Sequence, residues 1–339
     1  MLNRRAFVQT SALGLFAAKL QGQLQGRLGA AHHDDQTSRG HKIAEIAQSI
    51  SVARDIPFVK RAQRTLYLDV YHQSNPNHEP VPAIIYFGLS AWKSDTKKFW
   101  AYILGLDHLE NDPVVYLYPP VTVPRGYVVV SAECRVAREA VFPAQIHDGK
   151  CAIKWMRAHA KDFNIDPQRI GVMGGSASGY LAAMLAVTRP EDGLEDKECY
   201  LAFSSGVQAA YCQSGMYDFV YYEQQPGDGS LARQGAIRDF LGGSYAKIPK
   251  VWRRASPVNY IRPGDPPFLL MHGIQDRRVP YVQMGHFAKL LKKASVPVEA
   301  ISINHFVHGA IPGVMPQPSD NALDQIIYQF FDQHLKRAS

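Results

Sequence analysis

Residues 169–183 constrain this chain more than any other stretch. They read Arg-Ile-Gly-Val-Met-Gly-Gly-Ser-Ala-Ser-Gly-Tyr-Leu-Ala-Ala. A short apolar run, Ile170 to Met173, is broken by two glycines. Ser176 follows, and then small and apolar residues recur at helical spacing. This is strand, sharp turn and helix, with Ser176 at the turn. A serine held there has a strained backbone and a hydroxyl raised above the sheet. Small neighbours let strand and helix approach without a clash. The amide of Ala177, at the start of the helix, then faces any developing oxyanion. The plain alternative is a turn whose serine only caps the helix. The pattern Gly-x-Ser-x-Gly is broken at its fifth position, where Ser178 stands and the glycine comes one later, at Gly179.

Around this turn the chain alternates between two periodicities. Thr65 to Tyr71 alternates with period two, as a half-buried strand does. Val81 to Phe87, Gly126 to Ala132 and Pro267 to Met271 are continuous apolar runs of the kind found in central parallel strands. Val207 to Ser214 and Val298 to Ile303 read as further strands. Helical spacing covers Pro143 to Phe163, Met284 to Lys293 and Asn321 to Leu335. Strands alternating with helices predict an α/β fold: a mainly parallel central sheet with helices on both faces. Two segments fit less well. Leu104 to Pro124 is a surface excursion. Tyr217 to Gly264 is long, carries Tyr221, Tyr222, Tyr245 and Trp252, and has a helical piece near Ala236–Leu241. It reads as a cap insertion that shapes a substrate pocket beyond the carboxyl ends of the strands.

The 339 residues are 46% hydrophobic and 20% charged, enough for a large core. The formal charge of +7 concentrates at one end. Residues 1–31 hold Arg4, Arg5, Lys19 and Arg27 and no acids. What remains is close to balanced, which gives no case for nucleic-acid binding. Asn3-Arg4-Arg5-Ala6-Phe7-Val8 is a twin-arginine start, and the apolar stretch from Phe7 to Ala18 is too short to span a bilayer. Residues 1–31 therefore read as a bacterial export signal, 32–50 as a polar linker and 51–339 as the catalytic domain, destined for the periplasm or beyond. Cys134 and Cys151 read as buried small apolar residues. Cys199 and Cys212 lie 13 apart in a loop-rich stretch, where an oxidising compartment allows them to bridge. No cysteine pair has metal-ligand spacing.

A serine hydroxyl is a poor nucleophile until a base takes its proton, and the base needs an orienting acid. Both follow in the chain. Asp276 lies in the loop directly after the strand Pro267 to Met271. Asn304-His305-Phe306-Val307-His308-Gly309 follows the last strand. Two histidines there can serve as base, and the following glycine and the distance from the strand end favour His308 over His305. Asp276 has a bland reading as a turn residue paired with Arg277. The oxyanion site needs a second amide, from the loop Gly88-Leu89-Ser90-Ala91-Trp92, with Ser90 and Ala91 as the donors beside Ala177. Trp92 is expected to pack beneath that loop.

With these residues in hand, the chain resembles the α/β-hydrolase superfamily. Within it, the chain is similar to the bacterial carboxylesterase and feruloyl-esterase-like group, related to the hormone-sensitive-lipase type. The likeness spans residues 52–337. It is carried by Phe142-Pro143-Ala144-Gln145, by Trp155-Met156-Arg157-Ala158, by Asp166 to Val172, by Gly174-Gly175-Ser176-Ala177, and by Pro266 to Gly273 leading to Asp276. The resemblance implies Ser176 as nucleophile, His308 as base and Asp276 as acid. Two departures stand out. The family's oxyanion loop opens on a histidine that holds the loop by a hydrogen bond, and here that position is Gly88. The other departure is Ser178.

The expectation is an exported serine esterase acting on small acyl, aryl or polysaccharide-linked esters, with no metal and no cofactor. Its rivals are a peptidase of the prolyl-oligopeptidase type and a silent hydrolase fold used for binding. The former usually brings a large extra domain that this length does not hold. The intact set of three residues argues against the latter.

Overall fold

The apolar runs assemble into one eight-stranded sheet. A computed structural model of the protein describes residues 50–74, 79–95, 123–224, 235–304, 308 and 320–336. Residues 1–31, expected as an export signal, and nearly all of 32–50, expected as a polar linker, lie outside these residues. The strands are β1 (Ile50–Lys60), β2 (Thr65–Gln73), β3 (Val81–Phe87), β4 (Val128–Ala132), β5 (Ile165–Gly175), β6 (Ala209–Gln213), β7 (Phe268–Gly273) and β8 (Val298–Ile303). Their order across the sheet is β1-β2-β4-β3-β5-β6-β7-β8. β2 alone runs against its two neighbours, and every other pairing is parallel. The described residues belong to one compact unit, Ser49–Ser339.

Among the described residues, seven helices accompany the sheet: α1 (Ala144–Ala158), α2 (Ala177–Val187), α3 (Phe219–Gln224), α4 (Ala236–Leu241), α5 (Pro249–Arg254), α6 (Val282–Lys293) and α7 (Asp320–Leu335). Successive side chains of a strand point to opposite faces, so each apolar run feeds two cores. Ile85, Val130, Val172 and Leu270 join α1, α2 and α6 in the larger core. Ile84, Val129, Met173 and Leu269 join Ile327, Phe330 and Phe331 of α7 in the smaller one. Each large side chain buried in this way contributes roughly 1.5–3 kcal/mol. Covering on both faces explains why these strands read as unbroken apolar runs rather than alternating ones.

Several boundaries differ from the sequence reading. β1 carries no apolar run that announces a strand. It is an edge strand with two register shifts, and Phe58 is its one buried residue. β5 begins at Ile165, five residues earlier than its apolar run, and passes through Pro167. A register shift against β3 between Val81 and Ala83 absorbs that residue, which cannot donate to a ladder. α1 stops at Ala158, short of Phe163, and the surface excursion Leu104 to Pro124 lies almost entirely outside the described residues.

The cysteine pairing also differs. Cys199 is bonded to Cys151, with Cα atoms 5.9 Å apart, and Cys134 and Cys212 are free and buried. Cys212 is held in the middle of the sheet by its pairing with Gly174 and Leu270. The loop that carries Cys199 instead runs beside α1, so the cysteine taken for a packing residue is the partner. The separation along the chain gave no sign of this.

Candidate active site

Ser176 lies between the last residue of β5 and the first of α2. Its φ of 56° and ψ of −121° are unusual for a residue with a Cβ. Its N–H donates to Gln213 O at 2.8 Å, which ties the turn to β6. A Cβ on Gly174 would come within 2.4 Å of Ser178 O, and one on Gly179 within 2.7 Å of Gln213 O. These are the positions where strand and helix nearly touch. Ser178 takes part in the first of these contacts, and a serine fits there because its side chain turns toward Phe87 and Leu89.

The structure brings together three residues far apart in sequence. Ser176 Oγ lies 2.8 Å from His308 Nε2, and His308 Nδ1 lies 2.8 Å from Asp276 Oδ2. A carboxylate only accepts, so His308 Nδ1 carries the proton and Nε2 presents its lone pair to the serine hydroxyl, which donates. The side chain of Asp276 is fully buried and that of His308 is 8% exposed. His305, the other candidate base, lies outside the described residues.

Asp276 does close a turn, but not with Arg277. Its Oδ1 accepts the N–H groups of Arg278 and Val279, each at 2.9 Å. Oδ2 faces a second imidazole besides His308: His272 Nε2 is 3.1 Å away, and the same nitrogen lies 2.9 Å from Val279 O. Burial pushes the Asp276 carboxyl up, but the hydrogen bonds from His272 and His308 outweigh it. They hold the group well below the ordinary carboxylate range. His272 is fully buried at the end of β7. In the sequence it stands inside the run Pro266 to Gly273 with no role of its own. Its place four residues before Asp276, across a turn, was the available signal.

The expected oxyanion donors sit on two elements. Ala177 is the first residue of α2, where backbone N–H groups have no partner within the helix. Ser90 and Ala91 belong to a tight hairpin in which Leu89 pairs with Asp95 and Ser90 with Ser94. Ala91 and Trp92 both have positive φ, 49° and 57°, and Lys93 N–H donates to Ser90 O at 2.9 Å. Trp92 packs beneath this hairpin, stacked on Phe240 with ring centroids 4.7 Å apart and edge-on to Tyr180 of α2. Phe219, Phe240 and Trp252, from the segment 217–264, are buried in the same core. Ser178 is buried as well, and its Oγ lies 2.7 Å from Phe87 O and 2.9 Å from Leu89 O.

No group of three metal-ligating side chains lies at this site among the described residues. The one such cluster is Cys151, Asp196 and Cys199, whose two sulfurs are bonded to each other. The arrangement at Ser176 is a serine hydroxyl, an imidazole and a buried carboxylate in hydrogen-bonded sequence, beside the start of a helix. It suits acyl transfer by a covalent intermediate.

A family model described as BD-FAE matches residues 68–291. Among curated proteins, the chain is 28% identical to Esterase LipQ of Mycobacterium tuberculosis, over 71% of this chain and 52% of that protein. It spans about half the length of the curated relatives it matches. Among solved structures it is similar to a truncated carbohydrate esterase from gut microbiota. That match has a TM-score of 0.66 at 25% identity and covers 83% of this chain and 96% of the other. Thermogutta terrifontis esterase 2 phosphonylated by sarin matches with a TM-score of 0.67 at 24% identity, over 85% of this chain and 97% of that one.

Proposed function

This chain belongs to the BD-FAE family, and from that premise we propose that it is a serine carboxylic ester hydrolase working through an acyl-enzyme. One observation carries the reading: Ser176, His308 and Asp276 form a relay of two 2.8 Å hydrogen bonds. Ser176 Oγ attacks the ester carbonyl carbon while its proton passes to His308 Nε2. Asp276 holds the imidazole in the required tautomer and stabilises the imidazolium. The Ala177 amide and the Ser90–Ala91 hairpin stabilise the oxyanion. His308 returns its proton to the departing alcohol, and water, activated by the same imidazole, then releases the acid. Removing the nucleophile should lower turnover by a factor on the order of 10⁴–10⁶. The test compares wild type with Ser176→Ala on p-nitrophenyl acetate. Equal turnover by the two proteins would refute the mechanism.

The reading extends to small acyl, aryl and polysaccharide-linked esters. Likeness to a carbohydrate esterase supports the polysaccharide arm. A panel running from acetylated and feruloylated polysaccharide to long-chain p-nitrophenyl esters tests it, and turnover confined to long acyl chains would remove that arm. Export rests on the twin arginines and acid-free start of residues 1–31. Replacing Arg4 and Arg5 by lysine should strand the protein in the cytoplasm of a bacterial host. Unchanged fractionation would refute it.

A further inference from the structure

The elbow's departure from its usual pattern has a structural counterpart in the oxyanion loop. Ser178 stands two residues after the nucleophile, in the first turn of α2, and is 3% exposed. The close approach of strand and helix sets Gly174 against the backbone of Ser178 and Gly179 against Gln213 O. The Ser178 side chain reaches the end of β3, where its hydroxyl lies 2.7 Å from Phe87 O and 2.9 Å from Leu89 O. Both neighbours are acceptors, so the hydroxyl is the donor and its single proton serves the pair.

Those two carbonyls bracket Gly88. A peptide unit is planar and trans, so anchoring its C=O also fixes the direction of its N–H. Holding Phe87 O therefore sets the Gly88 N–H, and holding Leu89 O sets the Ser90 N–H. The anchor itself is rooted beside Ala177. One buried hydroxyl thus joins the helix that carries one oxyanion donor to the hairpin that carries the other.

Resting on the esterase reading above, we infer that Ser178 is a positioning residue that sets the spacing of the oxyanion hole by clamping the Phe87–Leu89 segment to α2. Oxyanion donors act only within about 2.7–3.1 Å of the charge they stabilise. A shift of a few tenths of an ångström between hairpin and helix weakens them. The loop position where a histidine would otherwise hold the backbone is Gly88, so the clamp comes from the helix side.

The experiment compares wild type, Ser178→Ala and Ser178→Gly on p-nitrophenyl acetate, with folding followed by circular dichroism. Both variants should keep KM within twofold and lose kcat by about 10–100-fold, less than the 10²–10³ of removing a donor outright. Affinity for a trifluoromethyl ketone, which forms a tetrahedral oxyanion on Ser176, should fall by a similar factor. Affinity for the acetate product should not change. Should alanine disturb folding, the glycine variant supplies the same reading. An unchanged kcat in a folded variant overturns the inference. So does a rise in KM with kcat intact, because that indicates packing alone. If Ser176→Ala abolishes turnover while Ser178→Ala does not, the esterase reading stands and this one falls. A wild type without ester turnover overturns both.

Discussion

Four hydrogen-bond donors converge on one carboxylate. Asp276 receives two backbone amides on Oδ1 and faces two imidazoles on Oδ2. The group stays ionised far below neutral pH, so His308 Nδ1–H always has its acceptor. Asp276→Asn keeps the shape but presents an amide that can donate toward His308 and stabilise the wrong tautomer. The expected outcome is a fall in kcat on p-nitrophenyl acetate of about 10³–10⁴ at neutral pH, with KM little changed. A fall under tenfold would contradict the orienting role. Ser176, Asp276 and His308 were legible in the sequence because each stands just past an apolar strand, in an order that suits one cleft. His272 was not, because its imidazole meets Oδ2 only when residues 273–279 fold back over the end of β7. Ser178 was legible as an oddity, but its acceptors lie 89 and 91 residues away.

At the scale of elements, α1 breaks the amphipathic pattern by turning charges inward. Asp148, Lys150 and Lys154 are all buried on it. Arg61 and Arg135 pair with Asp148, while Glu195, from the loop after α2, takes both lysines at 2.6 and 2.7 Å. Burial raises the Glu195 carboxyl, but Lys150 and Lys154 more than offset this and leave it at about 2, against an ordinary 4.5. A depressed carboxyl stabilises the fold fully above its unfolded pKa, and that contribution fades as pH falls toward the folded value. Glu195→Gln leaves the buried Lys150 ammonium without its counter-charge. It should cost on the order of 3 kcal/mol at pH 7 in urea unfolding. The gap from wild type should narrow steadily between pH 4.5 and 2. A gap independent of pH would show that the pair is not the cause. Helical spacing announced α1, but nothing in its sequence says that its charges turn inward. Their partners are on other segments, 13 to 87 residues away. β1 was missed for the opposite reason: an exposed edge strand buries too little to leave a pattern.

The unit Ser49–Ser339 is built on a two-faced sheet that gathers Ser176, Asp276 and His308 beyond the carboxyl ends of β5, β7 and β8. Apolar periodicity by itself determined that architecture, because continuous runs can be satisfied only by burial on both faces and the turn at Ser176 only by a strand entering a helix. It also determined which residue types stand at the strand ends. Tertiary structure decided the rest. It chose Cys151 for Cys199, brought His272 under Asp276, seated Ser178 against Phe87 and Leu89 and built Phe219, Phe240 and Trp252 into the core around Trp92. Local spacing records which face a residue takes. It carries no record of which distant segment meets that face, since a hydrogen bond or a disulfide needs contact within a few ångströms and the chain can supply that contact from any separation.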